Sequence, residues 1–241
     1  MVSYIDIHAH LLYGLDDGAK DFETSMQMFR IAEKNNIGKI ILTPHYKPMR
    51  HNASPGKIAQ MITHLDEQLK KEGIDIQLLA GNEIYYHSEA VTKLEEKKAC
   101  TMAASDYVLV EFSPMDEFEY IRNGIYQVMA GGYRPILAHA ERYECIARQI
   151  ERVDDLIQMG CYIQLNAGSV MGQFGFATKQ FARKLLKQQK VHFVATDAHD
   201  TAKRAPNLNE CARYISKKYG DDYTRMLLYE NPLCIIQNKY I

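Results

Sequence analysis

Seven short β-like runs, each handing on to a polar or metal-capable side chain, constrain most strongly what this chain can fold into. They span residues 3–8, 39–43, 77–81, 107–112, 135–138, 162–166 and 192–196. Amphipathic stretches at 23–35, 58–71, 119–130, 142–159 and 178–189 read as the helices between them. Gly38, Gly73, Gly132 and Gly160 stand near helix-to-strand joints, where a left-handed cap is expected. Repeated strand–helix alternation predicts a parallel sheet, open or closed. Residues 207–241 read as helices that cover it.

The ends of those runs carry the chemistry. They read Asp6-Ile7-His8-Ala9-His10, Thr43-Pro44-His45, Gly81-Asn82-Glu83, Val110-Glu111, Ala138-His139, Asn166 and Asp197-Ala198-His199. From His10 to His45, Glu83, Glu111, His139, Asn166 and Asp197 the steps are 35, 38, 28, 28, 27 and 31 residues, about one β-α unit each. In a parallel barrel those ends meet on one face, where active sites are built. Residues two apart on a strand share a face, so Asp6, His8 and His10 are expected to point together, with Asp6 set deeper and free to orient an imidazole.

Composition removes several alternatives. The 241 residues suit one α/β barrel, read as a single domain over 1–241. Lys+Arg is 29 against 30 Asp+Glu, which supplies no general basic field for nucleic acid or an anionic membrane. Five cysteines without a C-x-x-C pair argue against a disulfide framework and fit a reducing, cytoplasmic setting. The opening residues show no leader pattern, and no apolar run approaches the length of a membrane span, so no membrane insertion is expected. A cysteine phosphatase needs Arg six positions after its nucleophile; Asp106, Glu151, Ala167, Lys217 and Tyr240 stand there instead. Phosphate-cradling glycine loops and serine-nucleophile elbows are absent from the sequence as well.

Five histidines at four strand ends, mixed with carboxylates and no thiolate, suit manganese, iron or zinc. The donors are too many for one ion, and Glu83 and Glu111 are natural bridges. A cluster of ions about 3.5–4 Å apart activates water and clamps both oxygens of an in-line displacement, which points to phosphoester hydrolysis. Arg142, three residues after His139, and Arg204, five after His199, offer forked donors matched to phosphate. The loop 47–57 is long and suited to shaping the rim of a peptide-binding mouth. His51, His64, His87 and His192 read as solvated or structural.

His8-Ala9-His10, Thr43-Pro44-His45-Tyr46, Glu83, Glu111, His139-Ala140-Glu141-Arg142 and Thr196-Asp197-Ala198-His199 together resemble the PHP (polymerase and histidinol phosphatase) domain. With Gly14-Leu15-Asp16-Asp17-Gly18, the chain is similar over essentially its whole length to the manganese-dependent tyrosine phosphatases encoded with bacterial capsule and exopolysaccharide genes. The resemblance implies a distorted seven-stranded TIM-like (β/α)7 barrel, the PHP fold, holding three divalent ions. His8, His10, Glu83 and Asp197 would hold one, Glu83, Glu111 and His139 the second, and Asp17, His45 and His199 the third. Arg142 and Arg204 match positions that contact phosphate. The implied substrate and partner is the phosphotyrosine-bearing tail of a bacterial tyrosine kinase that controls polysaccharide export. Histidinol-phosphate phosphatase and a metal-stabilised scaffold without turnover are the competing readings; a polymerase-type exonuclease would need a basic strip for DNA.

Overall fold

A computed structural model describes residues 3–241; Met1 and Val2, at the head of the segment read as carrying no leader, lie outside the described residues. Strands β1 (Tyr4–Ala9), β2 (Ile37–Leu42) and β4 (Gln77–Ala80) form one sheet. In the other, β3 (His45–Tyr46), β5 (Glu83–Tyr85), β6 (Tyr107–Glu111), β7 (Arg134–Leu137), β8 (Tyr162–Asn166) and β9 (Phe193–Ala195) follow in that order. Every strand pairing among the described residues is parallel.

The seven runs expected from sequence become nine strand segments because the second and third each break. Pro44 has no N–H for the ladder and separates β2 from β3. Asn82 ties the two breaks together, its Nδ2 donating to the Pro44 carbonyl at 2.8 Å. Gly81 and Asn82 separate β4 from β5, and a Cβ on Gly81 would sit 2.9 Å from Ile41 Cγ2. At the other end of the order, the Asp197 N–H donates to the His8 carbonyl (2.8 Å) and the His10 N–H to that of Ala198 (2.9 Å). The chain leaving β9 thus lies beside the end of β1, and the parallel sheet curls.

Two apolar layers follow from the curl. Ile5, Ile7, Ile41, Tyr107, Leu109, Ile136, Ala138, Phe193 and Ala195 come from strands all round the order yet pack as one cluster, so they fill the inside. Ile40, Leu42, Val108, Val110, Leu137, Ile163, Leu165 and Val194, their neighbours along the same strands, pack outward with the helices. Strands buried on both faces are what a helix-covered parallel sheet requires.

Helix α1 (Phe22–Lys34) begins where Asp21 accepts the Thr24 N–H. Helix α2 (Pro55–Glu72) starts three residues before its sequence expectation, with Ser54 as cap and Pro55 in the first turn. The loop before it is tied by Asn52, whose side chain bonds both the N–H and the carbonyl of Lys47 at 2.8 Å. Helices α3 (Ala90–Glu95) and α4 (Phe118–Ala130) follow. The single helix expected over 142–159 is instead α5 (Glu144–Arg148) and α6 (Glu151–Met159), split where Gln149 is extended. After α7 (Ala167–Met171) and α8 (Phe176–Lys187), α9 (Asn209–Tyr219), α10 (Asp221–Arg225) and α11 (Asn231–Ile236) cover the C-terminal stretch. Gly38 does not act as the expected cap: it lies inside β2, and Asn36, at φ 60°, makes the turn. No helix among the described residues is long and apolar enough to cross a membrane.

One irregularity in β1 matters most for the site. Asp6 pairs with Ile40 and Ala9 with Leu42, so Ile7 and His8 together face the single residue Ile41. That is a β-bulge, and it interrupts the alternation of faces. Ile7 and His8 both turn inward with Ile41, while Asp6 and Ala9 turn outward with Ile40 and Leu42. The expectation that Asp6, His8 and His10 share a face is therefore corrected. Asp6 contacts no imidazole nitrogen; its carboxylate accepts from the backbone N–H (3.0 Å) and hydroxyl of Thr196.

Candidate metal centre

The C-terminal ends of the strands deliver their polar side chains to one place. His8 and His10 arrive from β1, His45 from β3, Glu83 from β5, Glu111 from β6, His139 just after β7, and Asp197 and His199 just after β9. Asp17 enters from the loop after β1. All but Asp17, His45 and Glu111 are buried.

Glu83 sits at the middle. Its Oε1 lies 3.2 Å from His8 Nε2 and 3.0 Å from His139 Nε2. Its Oε2 lies 3.3 Å from His10 Nε2 and 2.8 Å from His45 Nδ1. Glu111 stands 3.5 Å from His139 Nε2 and 3.6 Å from His45 Nδ1. Asp17 Oδ1 is 3.3 Å from His45 Nε2 and 3.6 Å from His199 Nε2. Asp197 divides its oxygens: Oδ1 faces His8 (3.5 Å), His10 (3.6 Å) and His199 (3.4 Å), while Oδ2 faces two arginines. Arg204 Nη2 is 2.7 Å from that oxygen and Arg142 Nη2 3.2 Å.

These contacts suit cations better than hydrogen bonds. His8 Nε2 and His10 Nε2 are 3.2 Å apart, two nitrogens of which only a protonated one can donate. His45 Nδ1 and Glu83 Oε2 approach to 2.8 Å, yet both are buried without a directed hydrogen bond, as is Glu111 Oε2. Orphaned buried polar atoms are costly unless an ion or water answers them. Three sets of donor atoms each gather within 4.8 Å: His10, Asp17, His45 and His199; His8, His10 and Asp197; and His45, Glu83 and Glu111. The residues therefore fit a group of divalent ions. The grouping differs from the one the resemblance implies: His10 and His45 each stand in two sets, Glu83 in one only, and His139 in none, although its Nε2 lies 3.0 Å from Glu83 Oε1.

Protonation tells the same story. Burial alone would depress the His10 imidazole, but hydrogen bonds to Asp16 and Glu83 carry it up to about 9. His45 is likewise opposed by burial and pushed up to about 10 by Asp17 and Glu83. His139, opposed by burial too, rises to about 9 through Glu111 and Glu83. Burial works against ionisation of Glu83, yet the surrounding imidazoles hold it well below the usual carboxylate range. The rise at His10, His45 and His139 marks a surplus of carboxylate charge that divalent cations would balance, and these ligands lose their protons to bind a metal.

The second ring of partners was only partly legible. Asp16 Oδ2 bonds His10 Nδ1 at 2.7 Å and the His45 N–H at 2.9 Å. Gln164 Oε1 lies 3.2 Å from His8 Nδ1 and accepts the His139 N–H at 2.8 Å. Asn166 Nδ2 donates to Asp197 Oδ2 at 2.7 Å. The sequence reading gives Asp16 no role beyond its place in Gly14-Leu15-Asp16-Asp17-Gly18 and passes over Gln164, although Gln164 lies two residues before Asn166 and shares its face. His139 (φ 34°) and Asp197 (φ 51°) hold left-handed backbone that non-glycine residues seldom adopt, a feature that concentrates at functional sites. His192 is structural: its Nδ1 accepts the Ile163 N–H at 3.0 Å.

The family model described as capsular polysaccharide synthesis, CpsB/CapC, matches residues 4–237. The chain is 34% identical to the tyrosine-protein phosphatase CpsB of Streptococcus pneumoniae over 98% of its own length and 100% of that protein. It is 32% identical to the tyrosine-protein phosphatase YwqE of Bacillus subtilis, over 98% and 93%. A crystal structure from work on YwqE and CpsB, described as unique metal-dependent tyrosine phosphatases, superposes with a TM-score of 0.92 at 32% identity, covering 98% of this chain and 96% of that one. Histidinol phosphate phosphatase of Lactococcus lactis, at a TM-score of 0.59 and 16% identity over 91% and 95% of the two chains, shares the fold.

Proposed function

The chain belongs to the CpsB/CapC family of capsular polysaccharide synthesis, and from that premise we propose that its site removes phosphate from the tail of a bacterial tyrosine kinase governing capsule or exopolysaccharide synthesis. The chain is a metal-dependent tyrosine-protein phosphatase. On this reading the nine strand segments count as seven strands of a distorted TIM-like barrel of PHP type, one domain over 1–241, working in the cytoplasm. His8, His10, Asp17, His45, Glu83, Glu111, His139, Asp197 and His199 hold three divalent ions, manganese first, with iron and zinc as alternatives.

The observation that carries the reading is the division of labour at Asp197. One oxygen faces the imidazoles and the other faces Arg142 and Arg204, so a phosphate gripped by the arginines lies against the metal cluster. When bound, the ions supply an activated water and positive charge over the phosphoryl oxygens. The chain supplies position and further charge. Arg204 Nε is buried with no partner, a donor left over for a phosphate oxygen. Asp16 and Gln164 fix the Nδ1 atoms of His10 and His8, so both Nε2 atoms face the centre. The tyrosine leaving group has a pKa of about 10, which lessens the need for a strong general acid. Preorganised charge around the transferring group then carries most of the catalysis.

The test is phosphate release by chelator-stripped protein, with and without manganese, from a phosphotyrosyl peptide and from histidinol phosphate. Manganese-dependent turnover favouring the peptide is expected. A preference for histidinol phosphate would overturn the substrate while keeping the metal site.

A further inference from the structure

The loop after α7 places an aromatic ring at the mouth of the site that the mechanism above leaves unused. The guanidinium carbon of Arg142 lies 4.5 Å from the centre of the Phe174 ring, and Arg142 Nη2 lies 3.2 Å from Asp197 Oδ2. Phe174 is 38% exposed and belongs to neither apolar cluster. Its ring thus rests against a phosphate-facing arginine with part of its surface open.

The backbone beneath it is built to put it there. The Gln173 N–H donates back to the Gly168 carbonyl at 2.9 Å, folding the segment over α7. A Cβ on Gly168 would meet Gln173 Oε1 at 2.2 Å and Phe174 Cε2 at 3.1 Å. Gly172 and Gly175 flank the pair at φ 97° and 96°, conformations that suit glycine alone. Three glycines therefore set one half-exposed phenylalanine against Arg142.

We propose that Phe174 is a specificity-determining residue that selects aryl over alkyl phosphate monoesters by packing against the substrate's ring. The inference rests on the phosphatase reading. In an aryl monoester a single oxygen joins ring and phosphorus, so a phosphate held on Arg142 puts its ring beside the open edge of Phe174. Offset or edge-to-face aromatic pairs gain free energy beyond their buried area, and an alkyl ester collects none of it.

The metal-loaded wild type is compared with Phe174→Leu, Phe174→Ala and Phe174→Trp on phenyl phosphate and on phosphoserine. In both Leu and Ala variants the aryl-to-alkyl ratio of kcat/KM falls by roughly fivefold to tenfold, mainly through KM, as expected for one lost aromatic pair. The Trp variant restores it. An unchanged ratio overturns the proposal, whether both rates fall together, as they would if the ring merely propped Arg142, or neither moves. Binding of phenylphosphonate against methylphosphonate by calorimetry gives the same comparison without turnover. A wild type without activity on either ester would sink the phosphatase reading, whereas binding that ignores the ring in wild type and variants alike would sink the role of Phe174.

Discussion

Asp16 Oδ2 lies 2.7 Å from His10 Nδ1, which fixes the imidazole so that its Nε2 faces Glu83 and Asp197. The contact holds the Asp16 carboxyl down at about 2 against the opposing effect of burial. A carboxylate behind a metal-binding histidine orients the ring and raises its basicity.

Replacing Asp16 with Asn keeps the shape but removes that charge. Manganese affinity is expected to fall by about 10- to 100-fold, with activity recovered at high manganese. Titrating metal into stripped protein while following activity and Tm checks this; wild-type affinity would dismiss the orienting role.

Glu83→Gln strikes the centre, since both Glu83 oxygens contact two imidazoles. Turnover should drop to near background while circular dichroism shows the fold intact. A folded variant with wild-type activity would remove Glu83 from the cluster and the ligand assignment with it.

Arg204→Lys keeps a positive charge but loses the fork and the unpartnered Nε. Charged hydrogen bonds are worth about 1.5–3 kcal/mol each, so kcat/KM for a phosphotyrosyl peptide should fall by roughly 10- to 100-fold. Metal content should stay unchanged. Equal kcat/KM in the two proteins would show that Arg204 does not grip phosphate.

His192 gives a pH dependence away from the metals. Burial pushes its imidazole down to about 4 from 6.5. Below pH 6.5 the unfolded chain takes up a proton that the folded chain refuses, so stability falls as pH drops toward 4. The full shift amounts to about 3 kcal/mol. His192→Asn should flatten this part of the Tm-against-pH curve of metal-free protein between pH 7 and 4.5; an unaltered slope would assign the acid sensitivity elsewhere.

The sequence placed the strands well because parallel strands buried on both faces read as short apolar runs, and their endings marked the site. Contacts set by long-range packing were harder to read. Asp6 looked inward by simple alternation, and only the pairing with Ile40 shows the bulge that turns it outward. Gln164 meets His8 across 156 residues, with no local trace of the contact. The break at Gln149 and the strand role of Gly38 depend on neighbours that a periodicity of apolar residues does not encode.

The doubled inward step in β1 also draws the line between a dry floor and a wet mouth. Ile7 seals the apolar plug below, and His8, the very next residue, opens the polar chamber above it. One strand thereby does two jobs that strict alternation would keep on different faces. Strict alternation from Ile7 onward would instead carry His8 among the outer apolar side chains, stranding an imidazole and unseating the first wall of the chamber at once.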